Sequence, residues 1–207
     1  MVSRGEVSSV AGAAGADVVL RPARPGDCRR IAELFRISSD GVADYVWSTL
    51  QADYPGASLI EIGERRYARE NTAFSYRNCV VAEQDGAVIA MLHAFVIAAR
   101  DGPCADVDPV LRPYAELEAP GSLYVSGIAV APEWRGQGLG TQLLAAARER
   151  ARRRGCPSLS LICVAQNAGA RRLYEREGFT AIDRRQIVAH PLIHGTGEAL
   201  LMTAPVP

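Results

Sequence analysis

The chain has 207 residues, of which 48% are hydrophobic, and its formal net charge at pH 7 is zero. This length and apolar content suit one medium-sized domain with a substantial core. A balanced charge gives no electrostatic reason to expect nucleic acid or an anionic membrane as a partner, and no run of about 18 apolar residues predicts a membrane span. We therefore expect neither a nucleic-acid nor a membrane partner.

Sixteen residues rich in Gly, Ser and Ala open the chain. Such a composition predicts a disordered tail over residues 1–16, followed by a single domain over residues 17–207. A signal peptide is the alternative, given Arg4 and the apolar residues that follow it. The apolar part is short, rich in alanine and interrupted by Asp17, which disfavours a signal peptide.

Alternating strands and helices are predicted in the first half of the domain. Apolar residues recur at helical spacing after Asp27, at Ile31 and Leu34, which predicts a helix there. Asp85-Gly86 between two apolar runs is a strong hairpin signal. The predicted elements are a strand at 18–20, a helix beginning near Asp27, helices at 41–50 and 58–70, and hairpin strands at 78–83 and 87–97.

The second half continues the alternation after a long connection, residues 98–122. A connection of this length between paired strands is typical of a functional loop. Because a helix links the next two strands, those strands are predicted to be parallel. The predicted elements are a strand at 123–130, a helix at 137–154, a strand at 158–164, a helix at 168–176, and a closing antiparallel pair at 181–188 and 199–203.

The cysteines predict a reducing environment. Their number is odd and none forms a Cys-x-x-Cys pair, so the sequence indicates neither a disulfide framework nor a metal site. We expect a cytoplasmic protein without a structural metal. The five cysteines are Cys28, Cys79, Cys104, Cys156 and Cys163.

A glycine-rich stretch, Arg135-Gly136-Gln137-Gly138-Leu139-Gly140-Thr141, stands between the apolar strand 123–130 and the following helix. Glycines leave backbone N–H groups free to face a ligand, and the N-terminal end of a helix favours negative charge. This order therefore predicts a phosphate-binding loop. A Walker loop is excluded because the chain has no lysine, and the glycine spacing is one residue short of a dinucleotide fingerprint.

Arg135, Gly138 and Gly140 match the Arg/Gln-x-x-Gly-x-Gly/Ala loop of the GNAT acyltransferase superfamily. A second block agrees with the same superfamily: an asparagine, then a helix ending in tyrosine, then Gly-Phe, here Asn167 through Tyr174 to Phe179. Together the two blocks resemble the superfamily over residues 123–180, and weaker strand matches extend over most of 18–203. The chain is thus identified by resemblance as a GNAT superfamily N-acetyltransferase.

The resemblance implies an α/β (α+β) fold in a single GNAT-like domain. The sheet is expected to be mixed but mostly antiparallel, with about seven strands flanked by helices. Its central parallel pair would splay apart at a bulge, and Gly127 is the residue at which we expect that bulge. The splay would expose strand edges that can hold a ligand.

The resemblance also implies that the chain transfers an acetyl group from acetyl-coenzyme A to a primary amine of a small molecule or peptide. Acetyl-coenzyme A would be the co-substrate, with no metal, and a homodimer is one further expectation. Tyr174 would protonate the leaving thiolate, and Asn167 would contact the coenzyme. The residues expected to bind the coenzyme are Ile128, Ala129, Val130, Arg135, Gly136, Gln137, Gly138, Leu139, Gly140, Thr141, Asn167 and Tyr174.

Several of these assignments have alternatives that the sequence leaves open. Tyr174 also suits a core position, and Asn167 also suits a helix N-cap. Glu118 is the candidate for the base that deprotonates the acceptor, with Glu83 and His93 as rivals. A coenzyme A-binding module without turnover and a nicotinamide-nucleotide enzyme are the competing functions.

Overall fold

A seven-stranded mixed sheet forms the centre of the computed structural model, which describes residues 17–98 and 107–207. The strand order is β1-β2-β3-β4-β5-β7-β6, and only the central pair, β4 and β5, is parallel among the described strands. The strands are β1 (Val19–Pro22), β2 (Cys79–Gln84), β3 (Ala87–Val96), β4 (Leu123–Val130), β5 (Ser158–Val164), β6 (Thr180–Gln186) and β7 (Glu198–Pro205).

Helices cover both faces of this sheet, and the two that pack on it most closely present an apolar stripe. On one face, Ile31 and Leu34 of the helix at 28–38 are fully buried. On the other face, Leu143 and Leu144 of the helix at 139–153 are fully buried. The helices are α1 (Cys28–Ser38), α2 (Val42–Ser48), α3 (Leu59–Ala68), α4 (Arg112–Ala115), α5 (Leu139–Arg153) and α6 (Ala168–Arg176).

The predicted fold class is confirmed: the sheet has seven strands, is mostly antiparallel and has a central parallel pair. The short helix α4 lies within the long connection, where no element was predicted. The predicted tail, residues 1–16, lies outside the described residues, as does the part of the connection at 99–106. Within the described part of the chain, none of the helices combines the length and apolarity needed to cross a membrane.

The central parallel pair separates after a short ladder. Residues Leu123–Val125 of β4 pair with Leu159–Leu161 of β5, and no pairing continues over Ser126–Val130 although both strands go on. Against β3, the register of β4 shifts at the same point: Gly127 faces His93 and Val125 faces Ala94, which leaves Ser126 as the extra residue. The bulge therefore lies at Ser126, one residue before the predicted position.

Gly127 serves a different purpose from the one expected. A Cβ atom at this position would lie 2.9 Å from the ring of Phe35 and 3.0 Å from the Ser38 hydroxyl. The missing side chain lets the end of α1 pack directly on β4. Ser126, whose hydroxyl bonds to His93, takes the bulged position, while Gly127 provides the close contact.

Candidate functional site

A cleft of about 890 Å³ opens where the β4–β5 ladder ends. Its walls are the C-terminal end of α1, the unpaired half of β4, the glycine-rich loop and one side of α6. From β4 it is lined by Ile128, Ala129 and Val130, all three of which were predicted to bind the coenzyme. Their edge toward β5 is unpaired, so backbone groups there are available to a ligand.

The glycine-rich loop forms one end of the cleft. Gly136 and Gly138 have φ angles of +77° and +79°, a left-handed conformation that glycine adopts without penalty. Gly138 is the N-cap of α5, and the first N–H groups of a helix have no acceptor within it. This end of the cleft therefore has the geometry of an anion site. Six of the seven predicted loop residues line it, and the exposed Gln137 does not.

Gly140 has a packing reason rather than a conformational one. A Cβ atom there would lie 2.9 Å from Cδ2 of Leu173, so the glycine allows α6 to rest against the first turn of α5. Leu173 itself lines the cleft. The third glycine thus brings the second sequence block next to the first.

Three arginines border the cleft. The guanidinium of Arg135 donates from Nε to the carbonyl oxygen of Val130 at 3.2 Å, and Arg172 and Arg176 project from α6 with exposed side chains. The last two were not identified from the sequence. They lie three and seven residues after Gly169 on α6, and this helical spacing places them on the same side of the helix as Gly169. That spacing is the signal by which the sequence could have identified them.

Asn167 occupies the N-cap of α6. Its Oδ1 accepts a hydrogen bond from the N–H of Ala170 at 3.1 Å, and the residue also lines the cleft. The two interpretations of Asn167 are therefore compatible, because the cap holds the side chain at the edge where a ligand would lie.

Tyr174 lines the cleft from α6, half-buried, with its ring centroid 5.8 Å from that of Phe179. Burial raises its pKa above the ordinary value, and the neighbouring Cys163 and Asp40 raise it further. The phenol therefore stays protonated at neutral pH. It is a packed residue and, at the same time, an acid group facing the cleft.

Both carboxylates that were considered as a base lie outside the cleft lining. Glu118 is not part of the cleft lining, and its charge acts on Tyr124, whose pKa is raised first by burial and then by Glu118. Glu83 lies on β2 and is ion-paired with Arg21 of β1, away from the parallel pair. The geometry gives Glu83 no access to the cleft.

His93 is fully buried within a cluster of aromatic rings. Its Nε2 lies 2.9 Å from the carbonyl oxygen of Ala73, which can only accept, so Nε2 donates and Nδ1 accepts from the Ser126 hydroxyl. Burial lowers the pKa of His93 to about 4 from 6.5. It is a structural residue that joins the bulge to the segment before β2.

This buried imidazole predicts a loss of stability in acid. Between pH 6.5 and 4 the unfolded chain binds a proton that the folded chain does not, so the free energy of unfolding falls as the pH falls. From pH 7 to pH 5 we expect His93 to contribute a loss of about 2 kcal/mol. Urea denaturation at both pH values measures the free energy of unfolding, and the difference between the two values gives this loss. His93→Gln, which keeps a donor and an acceptor, should lose less, and an equal loss in both proteins would contradict the assignment.

Comparison with known proteins gives the family that this sequence resembles. The sequence model of the acetyltransferase (GNAT) family matches residues 43–179, more than half of the chain. A curated relative, acetyltransferase Atu2258 of Agrobacterium fabrum (strain C58), is 47% identical over 64 residues. That match covers 31% of this chain and 45% of the relative, so the chain spans less than half the length of this relative.

Solved structures share the fold over nearly the whole chain. A crystal structure of an acetyltransferase superimposes with a TM-score of 0.62 at 22% identity, covering 91% of this chain and 99% of the other. The PaiA N-acetyltransferase of Thermoplasma acidophilum, solved in complex with coenzyme A, has a TM-score of 0.53 at 16% identity, covering 91% and 98%. Given this fold and the family match across both sequence blocks, the chain belongs to the GNAT family of acetyltransferases.

Proposed function

We propose that this protein is an N-acetyltransferase that moves the acetyl group of acetyl-coenzyme A to a primary amine of a small molecule or peptide. One observation carries the proposal. A single cleft joins an anion site at the start of α5 to the gap between β4 and β5, and Tyr174 lies on its wall. A phosphate at one end and a thioester at the other would suit that arrangement.

The coenzyme would bind along the length of this cleft. Backbone N–H groups of residues 136–141 would hold the pyrophosphate, with Arg135 adding positive charge. The peptide-like pantetheine arm would pair with the free edge of β4 at residues 128–130 in the manner of an added strand. Asn167 would contact the arm beside the α6 N-terminus. A cleft of about 890 Å³ is within the range of cofactor sites.

Tyr174 would act as the general acid. Collapse of the tetrahedral intermediate breaks the carbon–sulfur bond and leaves a thiolate, which needs a proton. A phenol whose pKa is raised by burial keeps its proton until that moment. The phenolate that remains would recover a proton from the nitrogen of the new amide.

One observation favours a second candidate, a coenzyme A-binding module without turnover. Within the described part of the chain the cleft lining includes no Asp, Glu or His. Catalysis requires a base within reach of the acceptor, directly or through water. Binding alone requires none.

Release of free thiol from acetyl-coenzyme A in the presence of an amine panel separates these functions. Amine-dependent release with formation of the acetylated amine supports the enzyme. Coenzyme A binding by calorimetry without release for any amine supports the binding module. Binding of NAD instead of coenzyme A would overturn both.

Arg135→Ala is expected to weaken coenzyme A binding about ten-fold, because a charge-assisted contact to the pyrophosphate is lost. Calorimetric titration with coenzyme A measures the change, and the loss should shrink at high salt. Arg153→Ala is the matched control, since Arg153 is an exposed arginine of α5 that pairs with Glu149. Equal affinities for the Arg135 variant and the wild type would contradict the assigned pyrophosphate site.

A further inference from the structure

The turn between α1 and α2 is locked against the C-terminal part of the chain. Asp40 and Gly41 both have left-handed backbone, with φ of +47° and +90°. The carbonyl oxygen of Asp40 accepts from the N–H of His194 at 2.8 Å and from that of Gly195 at 3.4 Å. Asp40 is therefore held in a conformation that few non-glycine residues adopt, although Asp is among those that tolerate it.

This lock sets the Asp40 side chain beside the gap in the sheet. A Cβ atom at Gly195 would lie 3.7 Å from Cβ of Asp40 and 3.0 Å from Cγ2 of Val164, the last residue of β5. Ser38, two residues before Asp40, lines the cleft, whereas Asp40 itself is not among the lining residues, so a proton from the cleft would reach it through water. Asp40 thus stands where β5 ends, on the α1 side of the sheet. The coenzyme loop and α6 lie on the other side of the gap.

The negative charge of Asp40 affects the pKa values of groups around the gap between β4 and β5. It raises the pKa of Tyr174 on α6, of Cys163 on β5 and of Tyr114 on α4, in each case after the effect of burial. Burial in turn raises the pKa of Asp40, and His194 opposes that rise. A carboxylate that is poorly hydrated and close to Tyr174 is a better proton acceptor than one in water.

We propose that Asp40 attracts the ammonium group of the acceptor and takes, through a bridging water, the proton that must leave before attack. This inference rests on the function proposed above. One proton passes from R–NH₃⁺ to the Asp40 carboxylate and on to solvent. The free amine forms the carbon–nitrogen bond to the thioester carbonyl, the carbon–sulfur bond breaks, and the second proton reaches the thiolate through Tyr174.

The surroundings of Asp40 also select the kind of amine. After burial, Asp40 raises the pKa of Tyr114, and Glu118 and then Tyr114 raise that of Tyr124, so two phenols and two carboxylates act on one another here. Aromatic faces and carboxylates together favour a cation. An amine that carries its own carboxylate on the adjacent carbon would bring a second negative charge to Asp40 and Glu118. The acceptor is therefore a primary amine on an apolar skeleton without an adjacent carboxylate.

Phenethylamine and phenylalanine are the matched probes, because they differ only by that carboxylate. The complex of the protein with coenzyme A is titrated with each amine by calorimetry. We expect phenethylamine to bind at least about ten-fold more tightly than phenylalanine to the wild type. In Asp40→Asn this preference should fall to about two-fold. Asn also tolerates left-handed backbone, so the turn is kept.

Kinetics give a second, separate measurement. For Asp40→Asn we expect kcat with phenethylamine to fall about 100-fold, the scale of a lost general base, with the KM for acetyl-coenzyme A unchanged. The acid limb of the pH–rate profile should disappear in the variant. Asp44→Asn is the control: it removes a carboxylate from the neighbouring turn of α2, where Asp44 pairs with Arg36, and should keep both the rate and the pH profile.

The outcomes separate this inference from the proposed function. If wild-type protein does not bind coenzyme A, the proposed function fails and this inference falls with it. If coenzyme A binds but phenylalanine binds as well as phenethylamine, the amine class is wrong. If Asp40→Asn keeps both the amine preference and the acid limb, Asp40 is not the base, while the acetyltransferase proposal stands.

Discussion

Tyr174→Phe is expected to lower kcat for acetyl transfer by about 100-fold or more, while the KM for acetyl-coenzyme A stays within about two-fold. Only the hydroxyl is lost, and with it the proton that the departing thiolate would receive. The ring keeps its packing against Phe179, so the fold should be unaffected. Steady-state thiol release at saturating acetyl-coenzyme A measures kcat, and coenzyme A titration confirms binding.

The matched control is Tyr76→Phe. The hydroxyl of Tyr76 donates to Glu70 at 2.9 Å, outside the cleft lining, so its loss should leave kcat unchanged. A Tyr174→Phe variant that turned over at the wild-type rate would assign Tyr174 to packing alone. In that case the thiolate would take its proton from water or from the amine itself.

Gly41→Ala is expected to lower the free energy of unfolding by at least about 3 kcal/mol. A Cβ atom at this position would lie 1.8 Å from the carbonyl oxygen of Leu192, so the turn and the C-terminal segment must move apart. The hydrogen bonds from His194 and Gly195 to Asp40 would be disturbed at the same time. Urea denaturation gives the free energy of unfolding, and phenethylamine titration shows whether the proposed acceptor site is lost with it.

Gly56→Ala separates the clash from the backbone strain. Gly56 also has positive φ, +76°, but none of the described residues comes within 4 Å of a Cβ atom there. Its substitution should cost only the strain, about 1 kcal/mol. Equal losses for the two variants would mean that the contact with Leu192 relaxes freely, and that the turn is not locked.

Local signals account for the part of the site that the sequence predicted. The residues from Arg135 to Thr141 are contiguous, and the conformation of a glycine-rich loop before a helix depends mainly on neighbours in sequence. The hairpin at Asp85-Gly86 and the parallel partner of β4 follow from equally local rules. For this reason local signals predict the individual strands, helices and the glycine-rich loop, whereas the fold class was predicted from the resemblance to a known family.

The position of the bulge depends on a tertiary contact that local sequence signals do not show. Gly127 is the residue a sequence argument selects, since glycine accepts irregular backbone. The structure places the bulge at Ser126, because Gly127 is needed where Phe35 and Ser38 of α1 approach β4. Because these residues are far apart in the chain, neither segment alone predicts the contact between them.

Taken by itself, the sequence determined the order of strands and helices, the glycine-rich loop and the helix carrying Asn167 and Tyr174, since each depends on neighbours within a few residues. Only the tertiary structure decided which residues stand on the α1 side of the gap between β4 and β5. Asp40 reaches the gap because Gly41 accommodates Leu192 and because His194 and Gly195 bind its carbonyl. Those partners are distant in sequence, and packing alone brings them together.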